Sequence, residues 1–491
     1  MNTDLSYAYS RLHNIIVLGD TIFVTATTDL VAFNEVFRFY ARGFDVQVLL
    51  QSDFDQRLAV AYSDAQSMES ASDVVDAAGE ELDLTALFDD IPVKEDLLNN
   101  DNGAPIVRTI NALLTQAVRD RASDIHIEPF EKSSLVRFRI DGLLVNIAQP
   151  RRSLHAPIVS RIKVMAKMDI AEKRLPQDGR IAVRLGNKQV DVRVSTLPTV
   201  YGERVVIRLL DKETGVLSFR DLGLSDDIQM RINRILSMPH GILLVTGPTG
   251  SGKTTTLYAA LKSFTKTTQK NIMTVEDPVE YDLEGVSQTS VNARIGMSFA
   301  RALRSILRQD PDVVMIGEIR DVDTAQIAVQ ASLTGHFVLA TLHTNDSLSA
   351  VTRLRDMGIE PFLLAPVIRG VLAQRLVRRV CSQCRTFKII SSALAKLLSL
   401  PEGEKVPEAV GCDHCRFSGY SGRVGVFELL EITPLLESLI HSCASEQTLR
   451  EKAFEQGFRT LGEYACGLIR EGLTTPEEVL SLGREIEDAS L

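Results

Sequence analysis

Gly247-Pro248-Thr249-Gly250-Ser251-Gly252-Lys253-Thr254 satisfies the phosphate-loop pattern G-x-x-x-x-G-K-[ST] at every required position. The apolar run Ile242-Leu243-Leu244-Val245 ahead of it reads as a buried strand. Thr255 to Phe264 behind it reads as the start of a helix. In a strand–loop–helix setting, backbone N–H groups cradle phosphate oxygens, the lysine reaches the terminal phosphates and the Thr254 hydroxyl holds Mg²⁺. Residues Gly247 to Thr255 are therefore the candidate nucleotide-binding set.

Working outward, strands and helices alternate after Gly241. Ile272 to Val275, Val313 to Ile316 and Phe337 to Leu342 are short apolar runs of the kind a parallel α/β sheet buries on both faces. Upstream, Ile106 to Val118 has helical spacing. Leu135 to Ile140 alternates and turns at Asp141-Gly142, and the strands Ile181 to Arg184 and Val190 to Val194 join through Gly186-Asn187. With Val205 to Leu210 these make a compact α+β domain. Residues 63–102 carry twelve acidic side chains against one lysine, which reads as a solvated linker. Residues 1–62 read as a small α/β unit, and beyond Arg375 the chain reads as mainly helical apart from a cysteine segment.

Bulk properties narrow the class. The chain has 491 residues and a net charge of −10, which argues against a generally nucleic-acid-coated surface. It contains no apolar run of 18 residues, and its first residues lack the basic and apolar regions of a signal peptide, so a cytosolic location is expected.

A phosphate loop only binds; hydrolysis also needs metal organisation, an oriented water and charge neutralisation. Asp310 to Glu318 supplies a buried strand ending in a carboxylate, 65 residues after Lys253, so Glu318 is a candidate to orient the attacking water. Many phosphate-loop ATPases place an Asp where Gly317 stands; without it the metal relies on Thr254, phosphates and waters. Val275 to Glu280 also ends a strand, which makes Glu276 a second candidate to orient water or metal. The residues alone leave the choice between the two open. His336 and His343 flank the strand Phe337 to Leu342, and their odd separation points them oppositely, so at most one meets phosphate; His343 is the candidate. Arg301, Arg304 and Arg308 fall at i, i+3 and i+7 on one helix face, and Arg320 follows Glu318. Such arginines can neutralise developing phosphoryl charge or form a solvated face.

Four blocks carry a resemblance: GPTGSGKTTTLY at 247–258, VEDPVEYDL at 275–283, DPDVVMIGEIRD at 310–321 and TGHFVLATLHTNDS at 334–347. Together with RASDIHIEP at 121–129 and STLPTVYGERVVIRLL at 195–210, they resemble the type II secretion and type IV pilus assembly ATPases over about residues 103–490. In that family Gly317-Glu318 is the usual form of the carboxylate strand. The resemblance implies a RecA-like phosphate-loop core, a preceding α+β domain of PAS-like shape and a homo-hexamer. ATP hydrolysis would move the two domains against each other to assemble pilin-like subunits. It also implies arginines at the nucleotide, here Arg193, Arg208, Arg304, Arg308, Arg320 and Arg353. Leu5 to His13 resembles the small N-terminal domain that docks to the cytoplasmic part of an inner-membrane secretion protein. A polytopic inner-membrane platform protein is the second implied partner, so peripheral inner-membrane association is expected. The expected division is 1–62, 63–102, 103–215, 216–374, 375–425 and 426–491.

Cys381-x-x-Cys384 and Cys412-x-x-Cys415, 27 residues apart, can supply four thiolates to a tetrahedral Zn²⁺. Redox chemistry is the alternative for a cytosolic C-x-x-C, but two paired knuckles favour a structural metal, as the resemblance also implies. Arg375, Arg378, Arg379 and Arg385 form a basic cluster that reads as a solvated face, with acidic phospholipid as the second reading. Four functions are weighed, the first three being a type II secretion ATPase, a type IV pilus extension ATPase and a DNA-translocating motor. The net charge and the lack of a nucleic-acid module count against the third. A scaffold that binds nucleotide without hydrolysing it is disfavoured by Lys253, Glu276 and Glu318.

Overall fold

The computed structural model describes residues 13–18, 21–40, 44–50, 53–54, 103–185, 188–211, 217–267 and 270–488, with 10, 57 and 88. The acidic linker expected at 63–102 thus lies outside the described residues apart from Phe88. Most of the expected docking segment Leu5 to His13 does too. The chain forms two units, Met1–Glu213 and Thr214–Leu491.

The first unit holds two sheets. Strands β1 (Ile15–Leu18) and β2 (Thr21–Thr25) pair antiparallel, and β3 (Asp45–Leu49) joins β2 in parallel after the helix Leu30–Tyr40. A parallel partner requires such a crossover. Ile15, Val17, Ile22 and Val24 point one way along their strands and pack on Ala32 and Val36 of that helix. The second sheet contains β4 (Asp124–Pro129), β5 (Ser134–Ile140), β6 (Leu143–Ala148), β7 (Gln177–Leu185), β8 (Lys188–Thr199) and β9 (Gly202–Asp211). Its order is β6-β5-β4-β9-β8-β7, antiparallel throughout. Helices Gly103–Arg119 and Arg152–Met165 supply Leu113, Leu114, Ile158 and Ile162 to a core with Ile125, Phe138, Val192 and Ile207.

The second unit is built on seven strands: β10 (Gly241–Thr246), β11 (Ile272–Glu276), β12 (Ser287–Ser290), β13 (Val313–Ile316), β14 (Phe337–Leu342), β15 (Ile368–Val380) and β18 (Tyr420–Glu431). Their order in the sheet is β12-β11-β13-β14-β10-β15-β18. All pairings are parallel except β15 with β18. Side chains alternate across the sheet. Ile242, Leu244, Val314, Ile316, Val338 and Ala340 pack on helices Phe299–Ile306, Val322–Leu333 and Ser347–Asp356. Leu243, Val245, Val313, Met315, Phe337 and Leu339 pack on Asp226–Leu236 and Lys253–Thr267. Burial on both faces is why these strands read as continuous apolar runs. Each fully buried aliphatic side chain contributes roughly 1.5–3 kcal/mol.

One expectation is corrected. The chain beyond Arg375 is not mainly helical at first: β15 runs on to Val380, and β18 pairs with it over Gly370 to Val380. The divisions expected at 374/375 and 425/426 fall inside these two strands. The arginines of β15 break its apolar run, so the strand hides from a hydrophobicity reading. Between β15 and β18 the chain makes a short excursion with β16 (Thr386–Ile389) paired to β17 (Lys405–Glu408) and a helix at Ser392–Leu397. Four helices, Pro434–His441, Glu446–Glu455, Leu461–Arg470 and Pro476–Asp488, follow β18, as expected for the C-terminal part. No helix among the described residues is long and apolar enough to cross a membrane.

Candidate functional site

The parallel strands deliver the candidate residues to one end of the sheet. The phosphate loop leaves the C-terminal end of β10, Glu276 ends β11, Glu318 and Arg320 follow β13, and His343 follows β14. Ligand crevices in open α/β sheets form at this end. His336 lies at the other end of β14, where Nδ1 sits 2.8 Å from the Ala331 carbonyl and 3.1 Å from Thr334 Oγ1.

The loop is tightly seated. Gly247 has φ +149°, and a Cβ there would stand 2.4 Å from the Gln374 carbonyl oxygen and 2.6 Å from Ser251 Oγ, so only glycine fits. Lys253 is buried, and its Nζ donates to the carbonyls of Gly247 (2.7 Å) and Pro248 (3.0 Å). Burial pushes its pKa down to about 8; Glu318 works against that shift and Arg375 adds to it. Thr254 is exposed and Thr255 half-buried on the helix that follows.

Glu318 is the hub. Arg320 Nε donates to its Oε2 at 2.7 Å, and His343 Nε2 lies 3.1 Å from its Oε1. Arg320 also reaches Asp277 at 3.8 Å. Burial lowers the His343 pKa, Lys253 and Arg320 lower it further, and Glu318 opposes them, so the imidazole is neutral near pH 7. The departure at Gly317 has a steric reason: a Cβ would lie 3.2 Å from the Val275 carbonyl oxygen and 3.3 Å from Glu276 Cα. A side chain there would require the ends of β11 and β13 to give way by a few tenths of an ångström.

Glu276 is buried and sits in a different environment. Its Oε1 accepts from Thr274 Oγ1 (2.6 Å) and Gln288 Nε2 (3.1 Å), and its Oε2 accepts from the Tyr258 hydroxyl. Glu318 is thus held by cationic and imidazole partners, Glu276 by neutral donors.

The arginines are not one set. Arg304 is exposed, 3.5 Å from Asp323. The helix ends at Ile306, so Arg308 lies two residues past it, in the turn that follows; its Nη1 donates to the Arg304 carbonyl at 2.8 Å. Arg353 is exposed on helix Ser347–Asp356. Arg193 and Arg208 belong to the first unit, where they are paired neighbours on β8 and β9, and Arg208 Nε donates to Asp124 at 2.9 Å.

The basic cluster is mostly not a free solvated face. Arg375 is buried behind the phosphate loop and donates to the Asn345 carbonyl at 3.0 Å. Arg378 pairs with Glu478 at 2.5 Å and lies over the Tyr420 ring. Arg385 is exposed, yet its Nη1 donates to the Gly472 carbonyl at 2.9 Å. Arg379 is exposed as expected. Gln374 and Arg375 on β15, and Tyr258 on the loop's helix, are site residues that sequence reasoning missed. No spacing signal marks them, because their partners are distant in the chain.

The four cysteine sulfurs all lie within 4.8 Å of one another. The separations are 4.0 Å for Cys381–Cys412, 3.7 Å for Cys384–Cys415 and 3.8 Å for Cys412–Cys415. A tetrahedral site with metal–sulfur bonds of about 2.3 Å needs edges of about 3.8 Å. Backbone N–H groups of Gly411, Cys412 and Gly419 donate to Cys384 or Cys415 at 3.2–3.3 Å. Burial pushes the Cys384 thiol up to about 12. At Cys415 burial also raises the pKa, but the N–H groups of Cys412 and Gly419 outweigh it and bring the thiol down to about 6. Four such sulfurs could hold a metal ion.

This sheet with this loop defines a RecA-type phosphate-loop ATPase. Comparison with known proteins is more specific. The model of the type II/IV secretion system protein family matches residues 99–481, and that of a GSPII protein E domain matches 4–62. The chain is 54% identical over 485 residues to type II secretion system protein HxcR of Pseudomonas aeruginosa, covering 98% of this chain and 99% of that one. It is 48% identical over 467 residues to type II secretion system ATPase E of Vibrio cholerae, covering 95% and 92%. The pilus retraction motor PilT with bound ADP shares the fold at TM-score 0.51 and 24% identity, covering 75% of this chain and 95% of that one. The chain belongs to the type II/IV secretion system protein family, whose members of this kind are ATPases.

Proposed function

We propose that this chain is the ATPase of a type II secretion system, a homo-hexameric motor that drives pseudopilus assembly and protein export across the outer membrane. The observation that carries the reading is the GSPII protein E domain at 4–62 on the same chain as the phosphate-loop site. A pilus extension motor would share the site chemistry; the docking domain and the full-length relatives favour secretion.

Gly247 to Thr255 form the phosphate cradle, Lys253 meets the terminal phosphates and Thr254 holds Mg²⁺. The metal would neutralise phosphate charge and orient the leaving group. Glu318 and Glu276 are the carboxylates of hydrolysis, and neutral His343 steadies Glu318. Arg304, Arg308, Arg320 and Arg353, with Arg193 and Arg208, are the proposed charge-neutralising arginines. Cys381, Cys384, Cys412 and Cys415 hold one structural Zn²⁺. The N-terminal domain docks the cytoplasmic part of an inner-membrane secretion protein, and a polytopic platform protein receives the work. Acidic phospholipid contact is not retained, because Arg375, Arg378 and Arg385 have internal partners.

Glu318→Gln should slow hydrolysis by about 100-fold or more and leave ATP bound. Single-turnover assays check this, and unchanged turnover would move the water-orienting role to Glu276. Affinity capture from membranes with the full chain should recover an inner-membrane secretion protein. Removing residues 1–62 should lose it, and recovery of pilus-biogenesis components would select the pilus reading instead.

A further inference from the structure

Tyr258 lies five residues after Lys253 on the same helix and is fully buried. Its hydroxyl donates to Glu276 Oε2. The same hydroxyl oxygen accepts from the Glu280 backbone N–H at 3.4 Å and from Gln288 Nε2 at 3.3 Å. The Tyr281 ring stands edge-on against the phenol, with centroids 4.6 Å apart and planes at 80°. Gln288 bridges both partners, since its Nε2 also reaches Glu276 Oε1. The carboxylate is therefore held by three side chains from three elements: Thr274 of β11, Gln288 of β12 and Tyr258 of the helix that begins with the phosphate-loop lysine. Burial raises the phenol's pKa, so it stays a donor across the working range.

From this cage we infer that Tyr258 is a positioning residue for Glu276, tying the direction of that carboxylate to the seating of the phosphate-loop helix. The inference rests on the reading that Glu276 takes part in hydrolysis. A carboxylate on the end of a strand has two free torsions beyond Cβ, and a small misplacement of a reacting group costs rate steeply. A rigid phenol on the nucleotide-binding helix removes that freedom. It also makes Glu276 move with the loop that grips phosphate. Tyr258 need not touch nucleotide to do this.

The test compares Tyr258→Phe, Glu276→Gln and the double variant in the full chain. The readouts are single-turnover ATP hydrolysis, nucleotide affinity and thermal stability. Tyr258→Phe should lower the hydrolytic rate by about 10- to 100-fold while ATP affinity stays within about twofold. Glu276→Gln should cost at least as much, and the double variant should be no slower than Glu276→Gln alone, because the hydroxyl acts only through that carboxylate. A merely structural role would lower stability and add to the Glu276→Gln effect. Should Tyr258→Phe fail to fold, Gln288→Ala, on the half-exposed strand β12, should show the same pattern with a smaller loss. Wild-type rates in Tyr258→Phe, or additive losses in the double variant, overturn the inference. Wild-type rates in Glu276→Gln overturn the role of Glu276, and the inference falls with it; that outcome is distinct because it appears without touching Tyr258.

Discussion

Lys253→Ala is expected to lower ATP turnover by at least about 100- to 1,000-fold, the scale set by removing one preorganised donor from a developing oxyanion. The physical case is in the lysine's surroundings. Its ammonium is buried, bonded to two loop carbonyls, and its pKa is brought down to about 8 against an ordinary 10.5. A buried cation in that state is stabilised by an arriving phosphate, so its charge is used in binding and hydrolysis. The same shift sets a stability signature. The folded form loses the proton at lower pH than the unfolded chain, so the unfolded chain binds more protons between about 8 and 10.5. Stability contributed by this group rises through that window and is lowest below it. Lys253→Ala should therefore melt within a few degrees of the parent at pH 7 and lack the alkaline rise. Steady-state ATPase assays and melting curves at pH 7 and 10 check both parts; unchanged turnover would remove the motor assignment.

Cys381→Ser should take bound zinc from one per chain to near zero and open the excursion between β15 and β18. Apart from the cysteines, the excursion is held by a two-stranded sheet, one short helix and the packing of Ile390, Ala395, Leu398, Leu400 and Val406 into a core shared with the C-terminal helices. Isolated two-stranded ribbons are marginal in water, whereas structural zinc binding is worth on the order of 10 kcal/mol in small domains. Limited proteolysis within 385–411 should appear in Cys381→Ser, and in the parent protein after a strong chelator. Metal analysis with proteolysis checks this, and a metal-free chain that resists nicking would reject the zinc site. The phosphate loop lies on other elements, so ATP affinity should change less than protease sensitivity.

The two carboxylates illustrate where sequence reading stops. Both end apolar strands, and nothing in local sequence separates them. Tertiary packing does: besides Arg320 two residues on, Glu318 meets His343 at the neighbouring strand end, while Glu276 meets Tyr258, 18 residues earlier, and Gln288, 12 residues later. The basic cluster fails for a related reason. Arg375 and Arg378 look like surface charges until β15 is seen to run behind the phosphate loop and against the helix bearing Glu478.

The chain's own order was enough for the phosphate loop, the parallel strands around it and the cysteine knuckles. Each depends on residues close in sequence, whose spacing obeys strand alternation, a glycine-dependent turn or a four-ligand count. Arg308 shows the limit even at short range, because where a helix ends depends on what caps it. The long ribbon of β15 and β18, the burial of Arg375 and the cage around Glu276 required the folded molecule. Most of their partners lie a dozen or more residues apart in the chain, and hydrogen bonds and ion pairs between such segments leave no period in the sequence.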